Sequence, residues 1–128
     1  MNLFVKEQFT SHSGLVLPFK IDCDALTDED LDCLASIAHE RLQLPWKDIG
    51  KVVGVPRGGL RLAAILQQYA GHGPLKLIVD DVLTTGHSIA AMRAEELWPE
   101  TCLGLVIFAR SEPESWIQTI FRLNRFLR

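Results

Sequence analysis

The stretch at residues 74–88 decides the fold, and it reads Pro-Leu-Lys-Leu-Ile-Val-Asp-Asp-Val-Leu-Thr-Thr-Gly-His-Ser. Its apolar part, residues 75–79 with a single lysine, predicts a short buried strand. Two adjacent carboxylates, Asp80 and Asp81, stand at the predicted end of that strand. A loop of small polar residues follows at 84–88, and a helical pattern then begins. This order indicates a strand-to-helix corner that can bind a sugar phosphate.

The physical reason lies in the loop and the helix that follows it. In an open parallel sheet, ligands bind outside the carboxyl ends of the strands, where the start of a helix presents unpaired N–H groups to a phosphate. Thr84, Thr85 and Ser88 add hydroxyl donors. The two carboxylates would repel a phosphate, so they suit ribose hydroxyls or a hydrated Mg²⁺. The alternative is a solvated acidic turn followed by an ordinary helix N-cap.

The run from Leu77 to Ser88 closely resembles the phosphoribosyl pyrophosphate motif of type I phosphoribosyltransferases. That motif is a hydrophobic run, two acidic residues, two hydrophobic residues and a small-residue loop. The resemblance implies binding of phosphoribosyl pyrophosphate and transfer of ribose 5-phosphate to a nitrogenous base, with release of pyrophosphate. It implies that the acidic pair binds the ribose 2- and 3-hydroxyls and that the loop binds the 5-phosphate. The implied ribose-phosphate residues are Asp80, Asp81, Val82, Leu83, Thr84, Thr85, Gly86, His87 and Ser88.

A second candidate loop, Pro56-Arg57-Gly58-Gly59, follows the strand predicted at 51–55. An arginine beside two glycines can bind an anion through its guanidinium and the open backbone N–H groups, although an exposed arginine in a glycine turn is the alternative. The resemblance makes this the pyrophosphate loop, with contacts from all four residues and a cis peptide bond between Pro56 and Arg57. The resemblance also implies that Asp80, Asp81 and Arg57 are the catalytic residues.

The remaining pattern predicts an α/β fold. Helices are predicted from Thr27, where Thr27 to Asp30 form a capping box, and at 60–69 and 88–98; strands are predicted at 15–22, 51–55, 75–79 and 103–108, and the tail at 115–127 is ambiguous. Alternating strands and helices predict a doubly wound parallel sheet with right-handed crossovers, a reduced version of the type I phosphoribosyltransferase fold. Both loops then lie at one edge of the sheet. We expect one domain, with an N-terminal segment and helix at 1–45 and the α/β core at 46–128.

The N-terminal stretch and the tail supply candidates for contact with a base. Ser13-Gly14 and the hydrophobic run to Lys20-Ile21-Asp22 are similar to the start of orotate phosphoribosyltransferases, which implies a small hood over the base. Trp116 is a candidate to stack on the base, since an aromatic residue near the chain end does so in the purine branch of the family. Arg110 and Lys20 are the polar candidates. Alternatively, Trp116 covers the core.

One departure from the family concerns the interval between the predicted helix at 60–69 and the main motif. Typical members carry further strands there and a flexible loop that closes over the reacting groups. Here the interval is Ala70-Gly71-His72-Gly73-Pro74. The chain is therefore either a minimal pentosyltransferase or a non-catalytic regulatory protein that binds phosphoribosyl pyrophosphate or a nucleotide.

Composition narrows the function classes further. The net charge of −3 without a basic run argues against nucleic acid as a partner, and the arginines at 122, 125 and 128 predict a solvated face. No GxGxxG follows a strand, which argues against a Rossmann dinucleotide site. The three cysteines predict buried reduced thiols, and the absence of a signal peptide or membrane-length apolar run predicts a cytoplasmic protein.

The resemblance also implies a cofactor and partners. Mg²⁺ is expected on the diphosphate of the substrate, and Asp80 and Asp81 could reach it through water. The expected partners are small molecules, phosphoribosyl pyrophosphate and a nucleobase. A homodimer fits the family, in which partner subunits often complete the site.

Overall fold

The N-terminal segment forms two small antiparallel ladders. The computed structural model describes residues 1–6, 9–10 and 16–123, with the backbone alone for 9–10 and 16–17. Strand β1 (Phe4–Val5) pairs with β4 (Lys20–Ile21), and β2 (Phe9–Thr10) pairs with β3 (Val16–Leu17). The single strand expected at 15–22 is therefore wrong. It is interrupted after β3 by Pro18, which has no N–H to donate to a ladder. The Ser13-Gly14 pair lies outside the described residues.

The core is a four-stranded parallel sheet with helices. Its elements are α1 (Asp28–Arg41), β5 (Ile49–Gly54), α2 (Leu60–Leu66), β6 (Leu75–Leu83), α3 (His87–Ala94), β7 (Cys102–Ala109) and β8 (Ile117–Arg122). The strand order is β5-β6-β7-β8, and every neighbouring pair is parallel. This confirms the predicted α/β class and assigns the ambiguous tail to a strand. Arg125 and Arg128 lie outside the described residues.

Helix α1 begins as its sequence predicts. Thr27 Oγ1 accepts from the Asp30 N–H at 3.0 Å, and Asp30 Oδ2 accepts from the Thr27 N–H at 2.9 Å, which completes the capping box. The inward stripe is buried at Leu31, Leu34, Ala35 and Ala38. Among the described residues, no helix is both long enough and apolar enough to cross a membrane.

The helices cover both faces of the sheet. Successive residues of β6 alternate between two clusters: Leu77 and Val79 pack with α1 and α2, whereas Ile78 packs with Ile89 of α3. The steps from β5 to β6 and from β6 to β7 run in the same direction across the sheet, yet their helices lie on opposite faces. The two crossovers therefore have opposite hands. The expectation of right-handed connections throughout is wrong for one of them, an uncommon arrangement in parallel sheets.

Two helices end earlier than the sequence pattern predicts. Helix α2 gives way to a 3₁₀ turn at Gln67–Tyr69. Its buried residues are Leu62, Ala63 and Leu66, because α2 packs on α1 and on the sheet together. Helix α3 ends at Ala94, short of the predicted Trp98. Trp98 precedes a proline, which disfavours helical backbone at that position.

Candidate functional site

The carboxyl edge of the sheet is uneven around β6, and this unevenness creates an opening. Pairing of β5 with β6 ends at Gly54 and Val79, whereas pairing of β6 with β7 continues to Leu83 and Ala109. The strand predicted to end at Val79 therefore continues through Asp80 and Asp81, because β7 still supplies hydrogen-bond partners. From Asp80 onward, one side of β6 faces a loop instead of a strand.

That loop is Pro56-Arg57-Gly58-Gly59, and it packs directly on β6. A Cβ added at Gly58 would overlap the Asp81 carboxylate, and one at Gly59 would overlap the Val79 carbonyl. The Gly59 N–H donates to Val55 O at 2.9 Å, and the predicted cis peptide bond between Pro56 and Arg57 is present. Both glycines are therefore needed for close approach, and the two sequence-predicted loops meet at Asp81.

The two carboxylates are partly buried and bond to the backbone beside them. Asp80 Oδ1 accepts from the Asp81 N–H at 2.8 Å, and Asp81 Oδ1 accepts from the Val82 N–H at 2.7 Å. Burial, together with the hydrogen bond and charge of Asp81, raises the pKa of Asp80 to about 7. A carboxyl whose pKa is raised toward neutral pH is a common feature of functional sites.

The small polar loop leads into α3 with its backbone open. Gly86 has a φ of 84°, a left-handed conformation that favours glycine, and as the N-cap residue of α3 it has no side chain with which to cap the helix. Thr85 Oγ1 accepts from the His87 N–H at 3.4 Å. The remaining first-turn N–H groups have no acceptor within the helix, so they can bind an anion.

A residue that sequence reasoning missed supports this loop from β7. Ser111 Oγ donates a hydrogen bond to the Thr84 carbonyl, and the Arg110 N–H donates to Leu83 O at 2.8 Å. A serine that follows a strand carries no distinguishing signal in sequence. Its position opposite Thr84 follows from the β6–β7 register, which the sequence does not specify.

Together these elements line a cavity of about 540 Å³, here called the first cavity. Both predicted loops contribute to it. Its lining residues are Val55, Pro56, Gly58, Asp80, Asp81, Val82, Leu83, Thr84, Thr85, Gly86, His87, Ser88 and Ile89. Every residue predicted to bind ribose phosphate is among them, so the structure brings that set together.

A second cavity of about 580 Å³ adjoins the first, and the two share Gly58 and Asp81. Arg57 lines the second cavity and not the first. The other lining residues are Cys23, Asp24, Leu26, Leu31, Leu60, Arg61 and Ile107. None of these seven was predicted from the sequence to belong to a site, since they come from segments far apart in the chain.

The cysteine of the second cavity is not poised as a nucleophile. Burial, followed by the negative charge of Asp81 and Asp22, raises the pKa of Cys23 to about 12, so its thiol stays protonated at neutral pH. All three cysteines are free, as expected. Only Cys102 is fully buried, whereas Cys33 is exposed, which corrects the expectation of buried thiols.

The three candidates for base contact are distributed differently. The Arg110 guanidinium carbon lies 4.1 Å from the ring centroid of Phe19, and its Nη1 donates to Phe19 O at 2.8 Å, so Arg110 adjoins the N-terminal segment next to Lys20. The Lys20 side chain is exposed. Trp116 precedes β8 and packs over Gly104 at the amino-terminal edge of the sheet. The structure thus does not bring Trp116 to the cavities.

Comparison with solved structures agrees with this geometry. The chain superposes on orotate phosphoribosyltransferase from Aeropyrum pernix with a TM-score of 0.77 and 22% identity, covering 98% of this chain and 90% of the other. It superposes on UMP synthase from Leishmania donovani with a TM-score of 0.75 and 16% identity, covering 98% of this chain but 34% of that longer protein.

A third match is orotate phosphoribosyltransferase from Mycobacterium tuberculosis, with a TM-score of 0.62, 13% identity and coverage of 94% and 90%. No protein-family model and no curated protein sequence matches the chain. The structural likeness is nonetheless nearly end to end, and the chain has the fold of the type I phosphoribosyltransferases, in the form found in orotate phosphoribosyltransferases.

Proposed function

We propose that this protein binds phosphoribosyl pyrophosphate and transfers its ribose 5-phosphate to a nitrogenous base, releasing pyrophosphate. The observation that carries the proposal is the packing of Gly58 on Asp81, which joins the arginine-glycine loop and the acidic pair into one site. A ligand with a phosphate at one end, a diphosphate at the other and a ribose between them matches this order of groups.

Each part of the ligand has a matching part of the site. The 5-phosphate fits the loop at 84–88, with the open N–H groups at the start of α3. The ribose hydroxyls fit Asp80 and Asp81, whose carboxylate oxygens can accept hydrogen bonds from them. The guanidinium of Arg57 fits the diphosphate, the leaving group on which negative charge develops as the bond to C1 breaks. In the reaction, the C1–O bond to diphosphate breaks, a C1–N bond forms, and the base nitrogen loses its proton.

Magnesium fits this site as an ion carried by the substrate. Within the described residues, no cluster of three or more histidine, cysteine, aspartate or glutamate side chains could hold a metal ion. Two carboxylates suit a hydrated Mg²⁺ that keeps its main bonds to a diphosphate. Such an ion would neutralise leaving-group charge.

A second candidate function is binding without catalysis, and one observation favours it. The connection at residues 70–74 lies at the amino-terminal edge of the sheet, against the segment before β5: the Gly71 N–H donates to Trp46 O at 2.9 Å, and Gly73 packs on Asp48. This connection therefore does not reach the two cavities. A reacting ribose would be more open to water without a covering segment.

Pyrophosphate release separates the two functions. The protein is incubated with phosphoribosyl pyrophosphate, Mg²⁺ and each of a panel of nucleobases, while binding is measured by calorimetry. Release that depends on one base supports the transferase. Saturable binding with no release for any base would leave the binding protein as the function.

A double variant tests the ribose assignment itself. Asp80→Asn with Asp81→Asn should abolish binding of phosphoribosyl pyrophosphate, whereas Asp32→Asn, on the exposed face of α1, should not change it. Wild-type affinity in the double variant would remove the acidic pair from the site.

A further inference from the structure

The second cavity contains a second arginine, Arg61, that the phosphoribosyl pyrophosphate motifs do not account for. Arg57 and Arg61 both line this cavity, and so do the carboxylates of Asp24 and Asp81. Two arginines therefore line the same space beside Asp81.

Arg61 is held in place by the segment that leads into α1. Its Nη2 donates to the Leu26 carbonyl at 3.0 Å and to Asp28 Oδ1 at 3.1 Å. Both bonds use the same nitrogen, so among the described residues Nη1 and Nε keep their N–H groups for another acceptor. The Arg61 side chain is 46% exposed, which leaves it accessible to a ligand in the cavity. An anchored guanidinium of this kind loses less conformational freedom on binding than an untethered one.

The charges of the cavity favour a diphosphate that carries a magnesium ion. A bare anion would be attracted by Arg57 and Arg61 but repelled by Asp24 and Asp81. With Mg²⁺ on the diphosphate, the carboxylates can meet the metal's water molecules while the guanidiniums take the outer phosphate oxygens in paired hydrogen bonds.

The positions of the two cavities indicate which end of the substrate the second cavity would bind. The first cavity holds the loop suited to a single phosphate, and the second adjoins it across Gly58 and Asp81. A ribose at the acidic pair would thus extend its C1 substituent toward Arg57 and Arg61. We propose that Arg61 binds the diphosphate end of the substrate as a second guanidinium beside Arg57, positioned by Asp28. This inference rests on the proposed function, because it takes phosphoribosyl pyrophosphate as the ligand.

The test compares two fragments of the substrate in the full chain. Pyrophosphate and ribose 5-phosphate are titrated separately by calorimetry, both with excess Mg²⁺. Arg61→Gln should weaken pyrophosphate binding by roughly tenfold or more, the effect of losing hydrogen bonds to a charged group. Binding of ribose 5-phosphate should change by less than about twofold, since the first cavity keeps its contacts.

Two further variants sharpen the comparison. Asp28→Asn keeps Arg61 but removes the ion pair that positions it, so pyrophosphate affinity should fall by about threefold. Arg41→Gln removes the same charge from the last turn of α1, away from both cavities, and should leave both affinities unchanged. Should Arg61→Gln fail to fold, Arg61→Lys keeps the charge without the planar fork and should still weaken pyrophosphate binding several-fold.

The outcomes separate this inference from the proposed function. Wild-type pyrophosphate affinity in the Arg61 variant, equal weakening of both ligands, or no pyrophosphate binding by the wild-type protein would each overturn the role of Arg61. If Arg61→Gln selectively loses pyrophosphate binding but the wild-type protein turns over no base, the role of Arg61 is supported and only the proposed transferase activity is overturned.

Discussion

The half-buried carboxylate of Asp80 makes a prediction that depends on pH and needs no ligand. In the unfolded chain this carboxyl has its ordinary pKa of 3.8, whereas burial and the neighbouring Asp81 raise it to about 7 in the folded protein. Asp80→Asn removes the charge but keeps an oxygen that can accept the Asp81 N–H. We expect this variant to be more stable than the wild-type protein at pH 8, although it loses a residue of the proposed site.

The sign follows from proton binding. Between these two pKa values the folded state holds a proton that the unfolded state has released, so the contribution of Asp80 to stability is fully present below about pH 4 and is lost as pH rises to about 7. A difference of about 3 pH units corresponds to about 4 kcal/mol as an upper bound. Because Asp80 is partly exposed to solvent, we expect a measured loss of about 1 to 2 kcal/mol between pH 5 and pH 8.

The assay is equilibrium unfolding in urea at pH 5, 6, 7 and 8 at constant ionic strength. The difference in unfolding free energy between Asp80→Asn and the wild-type protein should grow as pH rises and level off above pH 7. Asp32→Asn makes the same chemical change on the exposed face of α1 and should not reproduce the growth. Parallel pH profiles for the wild-type protein and Asp80→Asn would refute the reasoning.

Three further substitutions test the contacts around the cavities. Gly58→Ala places a methyl group against the Asp81 carboxylate, so affinity for phosphoribosyl pyrophosphate should fall by roughly tenfold or more in calorimetry; wild-type affinity would show that the two loops are not coupled. Ser111→Ala removes the hydrogen bond to the Thr84 carbonyl and should cost about 1 kcal/mol in urea unfolding, with weaker binding of ribose 5-phosphate. Trp116→Phe should lower stability by about 1 kcal/mol without altering which base is used, because the indole lies at the opposite edge of the sheet; a changed base preference in the pyrophosphate-release assay would contradict that placement.

The local signals in the sequence were sufficient for much of the fold. The capping box at Thr27 predicted the start of α1, and the apolar runs located three of the four core strands. The ends of helices and strands were harder to predict, because they depend on partners distant in sequence. Asp80 was predicted to end a strand because charged residues usually do, but the register between β6 and β7 extends the strand through it.

The candidate site likewise has one part that could be predicted from the sequence and one part that could not. The first cavity is formed largely by two contiguous loops, each with its own composition signal, and the sequence predicted both. The second cavity is assembled from the N-terminal segment, α2 and β7, so Cys23, Arg61 and Ile107 carried no local pattern. Trp116 is a residue type suited to stacking on a base, yet it lies at the amino-terminal edge of the sheet, because the position of β8 beside β7 was not predictable from the sequence.

The stability cost of ionising Asp80 indicates that this residue is retained for binding a ligand. A chain selected for stability alone would gain from replacing a half-buried carboxylate that is costly to ionise, and the close glycine packing at Gly58 holds a second carboxylate beside it. Such a cost is typical of residues kept for a ligand. A transferase and a binding protein would both retain such a carboxylate, because both need to bind the ribose. The distinguishing step is departure of the diphosphate, so the decisive measurement is base-dependent pyrophosphate release, whereas affinity for ribose phosphate or for pyrophosphate cannot separate the two functions.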